Sequence, residues 1–313
     1  NSKINLLHLH MTMPQPHPRI RELKFTLRRI FKNPSAIIGF SLMLCFTAVA
    51  VFAPYIAPPK YQHNPYQMPH KGYSQTPKPP SKANIFGTTS GQYDIFYGAV
   101  WGTRTAFKIG IFVIGIAVII GVALGIISGY YGGIMDEIIM RIVDIIFAIP
   151  LLVLTMAIVV AFGRGLDKVM IALAMVKWRD YVRVMRSGIL TLRELDYVQA
   201  AKVMGVSNFK IMLKHILPNG IYPVLVMASM DIGSMVIVAA FMSFIGLGAP
   251  KGYADWGQMV ALARNYIVGP PDDPLKYWHA IAIPGICIIL FVLAWNLIGD
   301  ALRDAFDPKQ RRR

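Results

Sequence analysis

Hydrophobic residues are concentrated in six long stretches of this 313-residue chain, and more polar segments separate them. A helix needs about 20 mostly apolar residues to cross the hydrocarbon core of a bilayer. The pattern therefore predicts an all-α polytopic membrane protein with six transmembrane helices. The predicted spans fall at residues 35–57, 109–135, 140–162, 168–188, 220–247 and 279–300.

Charged residues lie well inside the fourth and fifth stretches, whereas in the third Asp144 lies near one end. Lys177, Arg179, Asp180 and Arg183 make the fourth stretch poor in hydropathy, so we expect that helix to face protein, water or an interface rather than lipid. The fifth stretch contains Asp231, for which two interpretations stay open. It is either a proton relay or pathway-lining group, or the partner of a polar side chain on a neighbouring helix.

Composition supports the membrane assignment. The mean hydropathy is +0.49, with 55% apolar and only 15% charged residues. The net charge of +16 is explained by Lys and Arg beside the apolar stretches, and no nucleic-acid recognition module accompanies it. Cys45 and Cys287 lie inside apolar stretches and are expected to be buried packing residues.

The distribution of Lys and Arg predicts that both termini are cytoplasmic. The long polar region before the first stretch argues for a retained span rather than a cleaved signal peptide. The loop after that span is Pro-rich, and it is either a flexible spacer or an external segment that contacts a partner. The predicted organisation is a cytoplasmic tail over 1–34, a first span over 35–57, an external loop over 58–104, a transmembrane core of five spans over 105–300 and a basic cytoplasmic tail over 301–313.

Glycines repeat every fourth residue in the second stretch, at Gly121, Gly125, Gly129 and Gly133. This spacing places four small groups on one helical face, which allows a second helix to approach closely. A dimerisation face is one interpretation. Packing within the chain is favoured, because a six-span protein must first pack its own helices.

No sequence pattern indicates catalysis. The chain contains no G-x-x-x-x-G-K-[ST] phosphate loop, no H-E-x-x-H pair and no Cys/His group with zinc spacing. No Ser/His/Asp arrangement follows from spacing either. We therefore expect a protein that is not an enzyme and that binds no metal or cofactor of its own.

A polar segment at 191–219 separates the fourth and fifth stretches and is predicted to form two short helices. Gly205 suits the C-terminal cap of the first, Ser207 suits the N-cap of the second, and Pro218 suits the transition into the next span. Phe209, with Met212 and Leu213, makes the second helix amphipathic. The segment either lies flat on the lipid surface or docks a soluble partner.

The residues "QAAKVMG", followed by "HILP", resemble the E-A-A-x-x-x-G loop of binding-protein-dependent ABC importer permeases. In that family the loop is the coupling helix, which inserts into a cleft of the cytoplasmic ATPase subunit. The family's leading Glu is a Gln here, so a salt bridge cannot be carried over. The matching positions are Gln199, Ala200, Ala201, Gly205, Leu217 and Pro218.

The resemblance extends from about residue 25 to the end of the chain. "LRRIFKNPSAIIGF", "YGAVWGTRTAFKIG", "MSFIGLGAP" and "NLIGDALRDAFDPK" resemble, in order, segments of the C-type permease subunit of dipeptide, oligopeptide and nickel importers. The family usually reads G-T-D-x-x-G-R-D in the external segment. This chain has Thr89, Gln92 and Tyr93 at the Asp, Gly and Arg positions, which implies a different preference if that segment meets the binding protein or substrate.

The resemblance implies a type I ABC importer permease fold in a bacterial or archaeal plasma membrane. It implies three kinds of partner besides the bilayer: a second homologous permease, two cytoplasmic ATPase subunits that bind ATP and Mg, and an extracytoplasmic solute-binding protein. Di- or oligopeptides are the expected solutes, with nickel chelates, glutathione or oligosaccharides as alternatives. A stand-alone secondary transporter is less favoured, because no clear internal repeat is present. Met227, Asp231 and Ser234 are the candidate pathway-lining residues.

Overall fold

The computed structural model describes residues 33–306, and within that range the chain is helical, with no β-strands beyond isolated bridges. The predicted tails 1–34 and 301–313 lie mostly outside the described range, but residues 301–306 continue the last helix rather than starting a tail. Besides the α-helices, the described residues form a π-helical turn, Met212–Ile216, and a 3-10 turn, Arg264–Tyr266. The helices are α1 Pro34–Ile56, α2 Ile95–Tyr131, α3 Gly133–Phe147, α4 Leu151–Phe162, α5 Leu166–Leu192, α6 Asp196–Val203, α7 Asn208–Ile211, α8 Leu217–Gly220, α9 Tyr222–Phe244, α10 Trp256–Ala263 and α11 Trp278–Phe306.

Four described helices, α1, α2, α9 and α11, are long and apolar enough to cross a membrane. The predicted third span, 140–162, is not one straight helix, because α3 and α4 meet at an angle of 89°. The bend lies at Pro150, which disfavours helical geometry at the residue before it. If α3 and α4 count as one broken span, the described residues contain five candidates. Helix α5 is not among them because of its charged residues, so the count of six stays a prediction.

The most extensive contact between described helices joins α2 and α5, and glycines line it. A Cβ atom added to Gly121, Gly125 or Gly129 would lie within 3 Å of atoms of α5, so only glycine fits at these three positions. The prediction that the repeat serves packing within the chain is confirmed. Gly133 does not belong to this face: it begins α3 with a φ of +54°, and no atom lies within 4 Å of an added Cβ.

Charged residues of α5 are matched by groups on α3. The Arg186 guanidinium donates two hydrogen bonds of 2.6 Å to the carboxylate of Asp136. Arg183 pairs with Asp144 at 2.5 Å. Arg179 donates to the carbonyl of Ile146, next to the bend between α3 and α4. These contacts explain how a polar helix packs among apolar ones, as the sequence predicted for α5.

Residues 58–94 form a folded cover over the end of the bundle where α2 begins. The ring of Tyr66 stacks on that of Tyr253 with centroids 5.4 Å apart, and the buried Met68 donates its N–H to the carbonyl of Gly252 at 2.8 Å. The flexible-spacer interpretation is therefore wrong. The predicted loop, 58–104, extends too far. Helix α2 already begins at Ile95, and Asp94 caps it by accepting from the N–H of Tyr97 at 3.2 Å, so residues 95–104 are helical.

Gln92 occupies the position at which the family that the sequence resembles usually has glycine. Its φ is +63°, in the left-handed region that glycine adopts without steric cost. The buried Gln92 amide donates to the carbonyl of Thr76 at 2.7 Å and accepts from the hydroxyl of Thr88 at 3.3 Å. These hydrogen bonds compensate for the backbone strain, so the departure from the family pattern is locally accommodated.

Helix α10 begins at a buried carboxylate. Asp255 accepts from the N–H of Gln258 at 2.9 Å, which caps the helix. Burial disfavours the charged form and raises the pKa of Asp255 to about 6, although hydrogen bonds from Gln258, Ser243 and Gly257 act in the opposite direction. The folded protein therefore binds this proton more tightly than the unfolded chain does.

The free energy of unfolding should fall as pH rises from about 4 to about 6, because the folded state holds the Asp255 proton across that window while the unfolded state releases it. Asp255→Asn keeps an oxygen for the cap but does not titrate, so its stability should change less with pH. Thermal unfolding of both proteins in detergent at several pH values measures the difference. Identical pH profiles would contradict the assignment.

Gly125→Ala should destabilise the protein by about 1–3 kcal/mol, because the added methyl would lie 2.7 Å from the Cβ of Met185 and 2.9 Å from the carbonyl of Val182. Gly115→Ala is the matched control, since Gly115 is in the same helix and nothing lies within 4 Å of its added Cβ. That variant should be neutral or slightly more stable, because alanine favours helix. Melting temperatures in detergent test the pair, and equal shifts would refute the packing role of Gly125.

Candidate functional site

The segment between α5 and α9 begins with α6, which ends in a Schellman motif at Gly205. Gly205 has a φ of +75°, and its N–H donates to the carbonyl of Lys202 at 3.0 Å. The N–H of Val206 donates to the carbonyl of Ala201 at 3.1 Å, which completes the motif. The predicted capping role of Gly205 is confirmed. The motif fixes the direction in which the chain leaves α6.

The second helical part runs from Asn208 to Gly220 as α7, the π turn and α8. Ser207 occupies the N-cap position of α7, but its side chain makes no capping hydrogen bond, so that part of the prediction is wrong. Pro218 lies in the first turn of α8, where its missing N–H costs least. In the π turn the N–H of Leu217 reaches the carbonyl of Met212, five residues earlier.

The segment is held to the helical bundle on two sides. The hydroxyl of Tyr130, near the end of α2, donates to the side-chain oxygen of Asn208 at 2.8 Å. The side-chain amide of Gln199 donates to the carbonyl of Arg193 at 2.9 Å, and Arg193 donates to the carbonyl of Gly129 at 2.9 Å. These bonds connect the segment to the ends of both α2 and α5.

Within the segment, α6 and the second helical part pack on each other. The apolar side chains of Val198, Ala201, Ile211 and Ile216 are buried between the segment and the bundle. Met212 is buried as well, so the predicted amphipathic face was partly wrong: Met212 points inward, while Phe209 and Leu213 are exposed. Since these buried side chains belong to the same core as the bundle, the segment is a defined structural element.

An apolar patch remains uncovered on this segment. The exposed fractions of Val203, Met204 and Phe209 are 90%, 75% and 67%. Ala200 is exposed beside them. We call these four residues the exposed loop patch. The sequence identified Ala200 and Phe209, whereas Val203 and Met204 were missed, because an eight-residue helix shows too few turns for periodicity to separate its faces.

The six residues taken from the family motif do not share one environment. Ala200, Gly205 and Pro218 are exposed, whereas Gln199 and Leu217 are half-buried. Ala201 is buried against the rest of the segment. The structure therefore divides the motif into residues that present a surface and residues that shape the segment.

Comparison with known proteins identifies the family. A family model described as "Binding-protein-dependent transport system inner membrane component" matches residues 121–312, which is more than half of the chain. The chain belongs to this family. A second model, the N-terminal TM domain of oligopeptide transport permease C, matches residues 23–80 of the permease.

Several curated relatives are similar over most of the permease. It is 38% identical over 285 residues to the dipeptide transport system permease protein DppC of Alkalihalophilus pseudofirmus, covering 91% of this chain and 89% of the relative. It is 40% identical over 277 residues to the probable D,D-dipeptide transport system permease protein DdpC of Escherichia coli K12, covering 88% of each. It is 37% identical over 282 residues to the glutathione transport system permease protein GsiD of Pectobacterium atrosepticum, covering 90% and 89%.

A solved structure supports the fold. The inward-facing MetNI methionine ABC transporter contains a chain that superposes with a TM-score of 0.53 at 16% identity, covering 68% of the permease and 98% of that chain. The permease thus has the type I ABC importer permease fold and is a multi-pass inner-membrane protein. It is the permease component of a transport system and not an ATP-hydrolysing subunit.

The candidate pathway residues of the permease lie on α9. Met227 and Asp231 line a cavity of about 610 Å³ between α5, α9 and the end of α11, which Arg303 and Phe306 also line. Ser234 does not line it, and its hydroxyl donates to the carbonyl of Met230 at 3.4 Å. The structure therefore brings two of the three candidates to one cavity.

Asp231 has polar partners on the neighbouring helix α5. Its carboxylate lies 3.1 Å from the ammonium of Lys177 and accepts from the hydroxyl of Tyr181 at 2.8 Å. Lys177 also lies 3.4 Å from Asp180. The second interpretation from the sequence, an interhelical polar pair, is confirmed. The pair connects α5 to α9 near the cavity.

Lys177→Met should destabilise the permease by about 3 kcal/mol, because it leaves the Asp231 carboxylate with the Tyr181 hydroxyl alone. The double variant with Asp231→Ala should recover most of that loss, since it removes both charges. Thermal unfolding of the wild type, both single variants and the double variant in detergent gives the coupling energy. Additive losses would refute the pairing. A stable double variant that cannot transport would assign Asp231 a further role in the pathway.

Proposed function

We propose that this permease is one subunit of an ATP-driven, binding-protein-dependent importer of di- or oligopeptides. The names of its relatives support this class of solute, as does the match to the N-terminal domain of oligopeptide permease C. Glutathione is the second candidate, supported by the similarity to GsiD. Nickel chelates and oligosaccharides are less well supported alternatives.

The observation that carries the proposal is the exposed loop patch on a firmly held segment. Apolar side chains this exposed, such as Val203 and Met204, are typical of surfaces that a partner covers. We assign the segment as the coupling element, which seats in a cleft of an ATPase subunit. In this assignment Ala200 allows close approach, Gly205 sets the turn and the apolar side chains fill the cleft.

The hydrogen bonds of the segment supply a route for coupling. Closure of an ATPase dimer would displace the exposed loop patch, and the bonds from Tyr130 and Gln199 would carry that displacement to the ends of α2 and α5. Because these two helices are packed through glycine, they would move as one body. Access to the pathway would then switch between the two sides of the membrane.

The complex we propose contains a second homologous permease, two ATPase subunits with ATP and Mg, and an extracytoplasmic solute-binding protein. The coupling segment and both termini face the cytoplasm, and residues 58–94 lie on the external side. The pathway runs between the two permeases, with Met227 and Asp231 as the candidate lining on this chain. Ser234 remains a weaker candidate, because it does not line the cavity.

Ala200→Arg should lower retention of the ATPase subunits and peptide uptake by more than about tenfold, or roughly 1.4 kcal/mol, because a long charged side chain cannot enter an apolar cleft. The matched control is Ala83→Arg, the same change at an exposed residue of the external cover. Both tagged variants are purified from native membranes, and the co-purified subunits are quantified by mass spectrometry alongside uptake of labelled dialanine. Gly205→Asp should give a similar loss, since its φ of +75° strains an aspartate.

Two outcomes would contradict the proposal. Normal ATPase retention and normal uptake with Ala200→Arg would refute the coupling role of the segment. Recovery of the wild-type chain alone, still able to move solute into liposomes without ATP, would refute the importer and favour a secondary transporter.

A further inference from the structure

A cavity of about 920 Å³ opens at the end of the bundle opposite the coupling segment. It lies where α5 begins, next to the loop that follows α9, and Gly165 joins the two by donating its N–H to the carbonyl of Leu247 at 3.0 Å. Four cationic side chains from four separate segments line it. They are Lys108 of α2, Arg164 before α5, Lys251 after α9 and Arg264 after α10.

These four cations have no carboxylate partner among the described residues. None of them forms an ion pair within 4 Å in residues 33–306, unlike Arg183 and Arg186 of α5. The one acidic residue that lines the cavity, Asp167, is paired with Lys168 at 3.3 Å. All four cations are solvent-exposed, so water and salt screen their mutual repulsion, but together they give the mouth of the cavity a positive potential that attracts an anion.

The wall of the cavity also offers uncharged polar groups. Ser243 and Gln258 line it and are almost completely buried, at 0% and 5% exposure. A buried wall lowers the local dielectric and strengthens the attraction between the rim cations and an anion inside. The volume lies in the range of pockets that hold small ligands, about 300–1,000 Å³.

We propose that this cavity binds the carboxylate of the imported solute as it enters the permease. Arginine matches a carboxylate with two parallel hydrogen bonds, and the lysines add charge without fixed geometry. The inference rests on the proposed function, because it takes this end of the bundle to be external and the solute to carry a free carboxylate. The permease itself would then select for solutes with a free carboxylate, in addition to the selection made by the binding protein.

A concave site with buried polar groups favours a small carboxylate over the surface of a docked protein. Protein docking uses charges on an accessible rim, and it would leave the interior of the cavity unfilled. A small solute can instead reach the wall and the rim together. Docking of an acidic surface of the binding protein is therefore the competing explanation that an experiment must separate.

The test is acetylation of lysines in the intact wild-type transporter, purified in nanodiscs without its binding protein. Lys108 and Lys251 lie in the cavity, and Lys82 is an exposed lysine outside it that serves as the internal control. The reaction is run at low salt with dialanine, with dialanine amide, which lacks the carboxylate, or with neither. Mass spectrometry gives the modification rate of each lysine.

Dialanine should slow the modification of Lys108 and Lys251 about tenfold at a concentration some ten times its Kd, by mass action. Dialanine amide should have no effect, and Lys82 should react equally in all three samples. In the variant Arg264→Gln, the protection of Lys251 should weaken, whereas Lys82→Gln should leave it unchanged. Equal protection by the amide, or none by dialanine, would overturn the proposal.

A second arm adds the binding protein without solute. Salt-sensitive protection of Lys108 by that protein, together with no effect of dialanine, would assign the cations to docking and overturn the carboxylate site. In parallel, the same purified transporter is reconstituted into liposomes together with its binding protein, and ATP-dependent uptake of dialanine is measured. Uptake without protection would refute only this inference, whereas loss of ATP-dependent uptake in the wild type would refute the proposed function itself.

Discussion

The close approach of α2 and α5 is the contact on which the rest of the structure depends. Gly121, Gly125 and Gly129 leave no room for a Cβ atom, so the two backbones touch over two helical turns. In a bilayer, where apolar burial gives little driving force between helices, this kind of contact supplies the packing energy. It also sets the rotation of α5, and therefore the direction of every charged side chain on that helix.

Helix α5 acts as the polar centre of the bundle. One of its faces places Arg183 and Arg186 on carboxylates of α3, and another places Lys177 on Asp231 of α9. Pairs of this kind contribute little net stability, because desolvation offsets their attraction. If α5 were rotated differently, however, each of these charges would be buried without a partner, which is strongly destabilising. Their effect is to specify one arrangement of α3, α5 and α9. Among residues 33–306 the cations of the cavity at the other end of the bundle have no such partners, and the proposed carboxylate site rests on this contrast.

Features that follow from local chemistry could be predicted from the sequence. The glycine spacing gave the packing face, and Gly205 gave the cap of α6, because both depend on residues within a few turns. The bend at Pro150 was not predicted, because the span 140–162 was assigned from its hydropathy alone, and hydropathy does not indicate backbone direction. The fold of residues 58–94 depends on distant partners, such as Tyr253 for Tyr66, and no pattern within that segment encodes them. The inward direction of Met212 likewise follows from tertiary packing.

The segment between α5 and α9 is connected to the bundle differently at its two ends, and Gln199 explains part of the difference. An ionised Glu at this position, as in the related permeases, could not donate to the carbonyl of Arg193, whereas the amide of Gln199 does. That bond and the Arg193–Gly129 bond join α6 firmly to α5 and α2. Towards α9 the chain passes through a π turn and Pro218, where regular helical bonding is interrupted. A displacement of the segment would therefore be transmitted directly to α2 and α5. It would reach α9 only through the irregular turn at Met212–Ile216 and Pro218. Relative movement would then concentrate between α5 and α9, where Lys177 and Asp231 meet beside the cavity lined by Met227.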